Sequence, residues 1–298
     1  MASAGNEGYN HEDAEVVSLV NKIKATGFPE ETISWFRRAR TGQVEVSPYW
    51  PRGSCLAAAS FFTDSDLNFD LKGYLDFNNG LNGVSDPVGH SDFEKWISGL
   101  PIALYTVDKY AHELWVEYLL ITGKRAGEWN KMVNSAKASL NCFFLGKASE
   151  ITFSPNLLNH YSTDFVTVNG RVITIGPNPD AESMLHETLH TEVARYIDVL
   201  LRFAQNNHIK DFADWEVMKE YGYLEDESEA SAAHVMEESF VRALSVYLAG
   251  GSEDRLKLHS DLGFFAVPFI AKKAEESQPC AHTLGVFMNR AMDAFCLG

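Results

Sequence analysis

Two histidines four residues apart constrain this chain more than any other feature: His186 and His190, in His186-Glu187-Thr188-Leu189-His190. On a helix turning about 100° per residue they lie about 40° apart, one turn above the other. Both imidazoles then point the same way and can reach one tetrahedral ion at about 2.0–2.1 Å, the Zn–N distance. Glu187 is offset by about 100° from His186 and about 60° from His190. That places it beside the ion rather than on it, where a carboxylate suits the role of a general base acting on bound water. The whole is an H-E-x-x-H pattern.

Three fixed positions recur by chance, and paired histidines can also be ordinary core residues, so the surroundings decide. Gly176-Pro177-Asn178-Pro179-Asp180 reads as a turn and a helix start. Asn178 is the expected cap, Pro179 the first helical residue, with Asp180 and Glu182 in the positive first turn. Continuing the wheel, Val193, Ile197 and Leu200 fall on the histidine side, so the pair is expected to face inward. The reading is a zinc site on an interior helix.

Composition narrows the function classes. With 298 residues, 45% of them hydrophobic, the chain can bury a large core in one domain or two lobes. The net charge of −16, with no dense Lys/Arg cluster, argues against nucleic acid and anionic membrane as partners. No apolar run is long enough to insert in a bilayer, and the first residues lack the basic-then-apolar order of a signal peptide. A cytoplasmic protein is expected, although an exported one with its leader removed reads the same. Cys55, Cys142, Cys280 and Cys296 form no C-x-x-C pair and read as buried thiols, or as one or two disulfides in an exported protein.

Along the chain, residues 11–26 read as a helix with Val16, Val17, Leu19, Val20 and Ile23 inward, and 30–40 as a second carrying Trp35 and Phe36. Residues 49–53 break regular structure. Asp64-x-Asp66-x-Asn68-x-Asp70 resembles the opening of a calcium loop, but Phe69 and Leu75 stand where glycine and a bidentate acid are needed, so it reads as a solvated loop. Residues 76–92 read as a long loop. Helices follow at 102–121 and 128–139, the first carrying His112-Glu113 as a surface pair. From about residue 141 the period changes, with strands expected at 142–145, 151–153, 164–168 and 171–175. The last two flank Asn169-Gly170, a two-residue hairpin signal. Beyond the histidine helix come helices at 208–220, 228–249, 264–275 and 281–296. There is no internal repeat. A mainly helical part, 1–140, thus precedes a metal-binding part, 141–298, with one continuous domain as the alternative.

A catalytic zinc normally has three protein ligands and one open position. A third histidine in H-E-x-x-H-x-x-G-x-x-H is excluded, because Val193 and Tyr196 occupy those places. The other common solution is a glutamate on a later helix, and Glu237-Glu238-Ser239-Phe240-Val241 offers one. Here the chain resembles, over about residues 150–250, the gluzincin branch of the zincin metallopeptidases, with Glu238 in the ligand place. Periodicity keeps Glu237 as the alternative: it falls within the apolar stripe of Ala233, Met236, Phe240 and Leu244, while Glu238 falls beside Arg242 and Ser245.

The resemblance implies an α+β, mainly α, zincin-like fold, with a small antiparallel sheet packed on the active-site helix and a helical C-terminal part. It implies zinc on His186, His190 and Glu238, with Glu187 taking a proton from the water and delivering it to a leaving amine. It also implies a peptide or protein substrate, aligned against an edge strand at 164–168 or 171–175. Gluzincins use a downstream Tyr or His for the oxyanion; Tyr221, Tyr223, His234, His259 and His282 are candidates, none in a matching motif. The competing readings are a zinc amidase of a non-peptide substrate and a binding protein on the same fold.

Overall fold

A computed structural model describes residues 13–40, 59, 62–64, 66–82, 90–144, 150–157, 163–166, 171–220, 227–277 and 283–295. The expected break at 49–53, the Asn169-Gly170 turn, Tyr221, Tyr223, His282, Cys55, Cys280 and Cys296 lie outside them. The chain divides into two compact units, Met1–Arg125 and Ala126–Gly298. Among the described residues no helix is long and apolar enough to cross a membrane.

In the first unit α1 spans Ala14–Ala25 and α2 Glu30–Arg40. Asp13 caps α1 by accepting the Val16 N–H, and Val16, Leu19 and Val20 form its buried stripe. Of the loop expected at 76–92, residues 76–82 and 90–92 are helical, since α3 runs Leu71–Asn82 and α4 covers His90–Ile97, and 83–89 lie outside the described residues. Trp35 and Trp96 stack at 4.7 Å, and each indole N–H donates to the other's carbonyl oxygen, joining α2 to α4. The Asp64 carboxylate is consumed by its own loop, accepting from the backbone of Asp66 and Asn68 and from the Asn68 side chain. His112 is an exposed residue paired with Asp108, as a surface reading requires.

The two helices expected at 102–121 and 128–139 are one, α5, Leu100–Phe144, with non-helical backbone at Ala111. It covers residues 142–144 of the strand expected at 142–145, and residue 145 lies outside the described residues. Short apolar runs fit either period, and continuation of an existing helix adds a hydrogen bond per residue without a new nucleus.

The second unit holds a three-stranded sheet: β1 Ile151–Pro155, β2 Thr163–Val166 and β3 Arg171–Ile175, in the order β1-β3-β2. β2 and β3 are antiparallel, but β1 and β3 are parallel, so the sheet is mixed and not the antiparallel one expected. Alternation of side chains marks a strand and its buried face but carries no information on the direction of its partner. Val166 lies opposite Val172, whereas a two-residue turn at 169–170 would set it opposite Ile173.

Downstream are α6 Ala181–Val193, α7 Ile197–Asn206, α8 Trp215–Glu220, α9 Glu229–Ala249, α10 Glu253–Asp261, α11 Val267–Ser277 and α12 Leu284–Phe295. Residues 208–220 are a 3-10 turn, Ile209–Asp211, and the short α8, not one helix. α10 lies between the helices expected at 228–249 and 264–275, where the sequence reading placed no helix. The architecture is mainly helical α+β. α9 is the axis of the second unit, packed chiefly on α6 and also on α7 and α11, and buried almost continuously from Ala232 to Val246.

Candidate metal centre

The centre lies where α6 and α9 pack. Asp180, not Asn178, caps α6: its backbone is extended and its carboxylate accepts the Ser183 N–H at 2.7 Å. A charged acceptor holds a helix N-terminus more strongly than an amide, and this moves the start two residues on, with Pro179 ahead of the cap. The helix then tightens into a 3-10 turn at Ala194–Tyr196. That break turns the wheel: Val193 and Leu200 are buried as expected, but Ile197 is 38% exposed.

His186 and His190 stand one turn apart with ring centroids 4.8 Å from each other. Their Nε2 atoms approach to 3.1 Å. From α9, Glu238 brings Oε1 to 3.2 Å from His190 Nε2 and Oε2 to 3.8 Å from His186 Nε2. Among the described residues these three form the one group of three or more His, Cys, Asp or Glu side chains able to hold a metal ion. For bonds of 2.0–2.1 Å, the edge of a ligand tetrahedron is about 3.3–3.4 Å. The three separations bracket it. An N₂O donor set so spaced fits zinc, and its chemistry suits other divalent transition metals as well.

Glu237 occupies a different place. Its Oε1 lies 3.3 Å from His190 Nδ1 and its Oε2 3.1 Å from His234 Nδ1. It therefore grips the far side of an imidazole whose Nε2 belongs to the cluster. The wheel left the two glutamates in competition because a carboxylate in an apolar stripe needs a partner, and a wheel does not show which partner it has. Packing on several sides makes both faces interior, and each carboxylate has its own cationic or imidazole partners.

Glu238 is held from behind. Arg242 Nε donates to Oε2 at 2.9 Å, and its guanidinium sits 4.1 Å from the centre of the Phe264 ring. A second Arg242 nitrogen lies 3.1 Å from His259 Nδ1. A guanidinium only donates, so Nδ1 accepts and His259 Nε2–H donates to Glu182, 3.0 Å away. Arg255 closes the chain with two hydrogen bonds to Glu182, at 2.9 and 2.8 Å. The first turn of α6 is thereby tied to α10 and, through Arg242, to the Glu238 carboxylate.

These environments push the histidines apart. Burial presses His186 down to about 3, since a charged imidazole there loses its water, and Glu238 only partly opposes this. Burial acts the same way on His190, but Glu238 and Glu237 together overcome it and raise that imidazole. Burial would raise both carboxyls; contact with His190 instead holds Glu238 well below the usual range, and His190 with His234 holds Glu237 at about 2. A proton on His190 Nε2 then faces His186 and Glu238 together, where a metal ion would sit. Metal must displace it.

Glu187 is half-buried and outside the ligand cluster, and its charge reaches His190. Of the candidates for the oxyanion, His259 spends both nitrogens on Arg242 and Glu182, and His234 spends Nδ1 on Glu237. β3 is flanked on both sides, so 171–175 cannot be the edge that takes an extended substrate; of the two proposed strands, β2 is the one at the margin of the described sheet. Sequence reasoning set Arg242 beside Glu238 and counted His259 among the oxyanion candidates, but missed that Arg242, His259, Glu182 and Arg255 form one chain. Only 255 and 259 share a helical period, and the meeting of three helices joins them to 182 and 242. Comparison of the chain with protein-family models, with curated proteins and with solved structures finds no match.

Proposed function

We propose that this protein is a zinc-dependent metallopeptidase with a zincin-like fold, in which His186, His190 and Glu238 hold the ion and Glu187 is the general base. The observation that carries the reading is the convergence of two imidazole nitrogens and one carboxylate at tetrahedral spacing, with a second carboxylate next in sequence and outside the cluster. Three ligands leave a position open, which a purely structural zinc would fill with a fourth residue. Bound zinc supplies Lewis acidity towards water and carbonyl oxygen.

The chain's own residues do the rest. Glu187 accepts the proton of the attacking water and returns it to the departing amine. The outer edge of β2 offers backbone donors and acceptors to an extended peptide, a mode tolerant of side-chain sequence. Arg242, donating to Oε2 from behind, keeps Glu238 oriented.

The test is zinc content by elemental analysis together with hydrolysis of a peptide library. Wild type is expected to carry about one zinc per chain. Glu238→Ala loses it. Glu187→Gln keeps it and loses about 10²–10⁴-fold in hydrolysis. Wild-type protein that takes up no metal overturns the proposal; a metal-loaded protein inert on every peptide but active on other amides replaces peptidase by amidase.

A further inference from the structure

We infer that Glu237 is the positioning residue of the metal centre, turning His190 so that a bare Nε2 meets the ion, while Glu238 alone supplies the carboxylate ligand. The inference rests on the metal-centre reading above and adds a role which the ligand set does not contain.

The geometry divides the two carboxylates by which nitrogen they face. Glu238 Oε1 lies against His190 Nε2 at 3.2 Å, on the side of His186. Glu237 Oε1 lies against His190 Nδ1 at 3.3 Å, on the opposite edge of the same ring. One imidazole cannot present a single nitrogen to both, so one carboxylate shares the ion with Nε2 and the other stands behind. A carboxylate on Nδ1 accepts that N–H, fixes the tautomer with the lone pair on Nε2, and raises the donor strength of the ring.

Two further observations support a dedicated role. Glu237 is buried, so an idle carboxylate there would be costly. Its second oxygen is engaged by His234 one turn earlier on the same helix, which stops the carboxylate from swinging towards the ion. Charge supplies the other reason. Arg242 brings a positive charge against Glu238 Oε2, which opposes a cation at the centre. Glu237 offsets it from the far side of His190. Removing Glu237 therefore removes both an orienting bond and the counter-charge to Arg242.

The experiment measures zinc affinity by chelator competition, and the visible absorption of cobalt(II)-loaded protein, for wild type, Glu237→Ala, Glu237→Gln and Glu238→Gln. Glu237→Ala is expected to bind one zinc about 10–100-fold more weakly, with cobalt bands displaced from wild type. Glu237→Gln, which can still accept from Nδ1, recovers part of that loss. Glu238→Gln suffers the larger loss and takes up no zinc at stoichiometric concentration. Circular dichroism of the metal-free variants checks that each is folded, and the partial rescue by glutamine keeps the test decisive if the alanine variant does not fold. Wild-type affinity and an unshifted cobalt spectrum in both Glu237 variants overturn the inference. Loss of zinc in both Glu237 variants but not in Glu238→Gln makes Glu237 the ligand, overturning it while the metal reading stands. A wild type that binds neither metal sinks the metal reading, and this inference with it.

Discussion

Glu182 shows how much of this protein's pH response sits in one side chain. Burial acts to raise its carboxyl, but hydrogen bonds from His259 and Arg255 overcome that and hold it at about 2. The folded state therefore binds its proton less readily than the unfolded chain, whose carboxyl titrates near 4.5. The stabilisation is complete above that value and is lost as pH falls from about 4.5 towards 2. After allowance for solvent screening it is worth about 1–2 kcal/mol. Glu182→Gln is expected to cost that amount at pH 7 and to flatten the acid limb of a stability curve followed by urea unfolding. An unchanged acid limb would assign the pH response to other carboxyls. The pairing of His186 and His190 was legible at this scale because their spacing alone aligns the imidazoles. The part Arg242 plays was not, because Arg242 and Glu238 one turn apart on the same helix also read as an ordinary surface ion pair.

At the scale of the element, α6 and α9 decide the site. α6 is set by its cap: Asp180→Ala removes the acceptor for the Ser183 N–H and is expected to destabilise the protein by about 1 kcal/mol, read as a lower denaturation midpoint with unchanged m-value. No change at all would mean that packing, not the cap, fixes the start of α6. α9 was located by its apolar period to within a residue at each end, and its close at Gly250 is the left-handed cap, φ 68°, that glycine favours. Its two glutamates could not be told apart by period, since a wheel gives directions and no neighbours. The strands tell the same story. β3 was placed correctly, but its central position and its parallel pairing with β1 belong to the sheet and not to the strand.

For the molecule as a whole, the candidate ligands all fall within the unit Ala126–Gly298. On the proposed reading, zinc bound to the native state would add stability through mass action, about 2.7 kcal/mol at a hundred times Kd. Amide hydrogen exchange read by mass spectrometry, with and without zinc, is expected to slow most in α6 and α9. Met1–Arg125 should change little. Equal slowing throughout the chain would show that the two units open together, and no slowing anywhere would count against the metal site.

The sequence by itself determined what depends on neighbours along the chain. The one-turn spacing of His186 and His190, the inward stripe of α1, the run of α9 and the alternation of β3 are local regularities of 3.6 or 2 residues. Tertiary structure alone decided which nitrogen faces which oxygen. Glu237 and Glu238 are adjacent in sequence and similar in chemistry; what separates their positions is how α9 packs on α6, which brings one carboxylate to His190 Nδ1 and the other to Nε2. That packing is set by the interlocking of many side chains at once, and no short pattern along the chain encodes it.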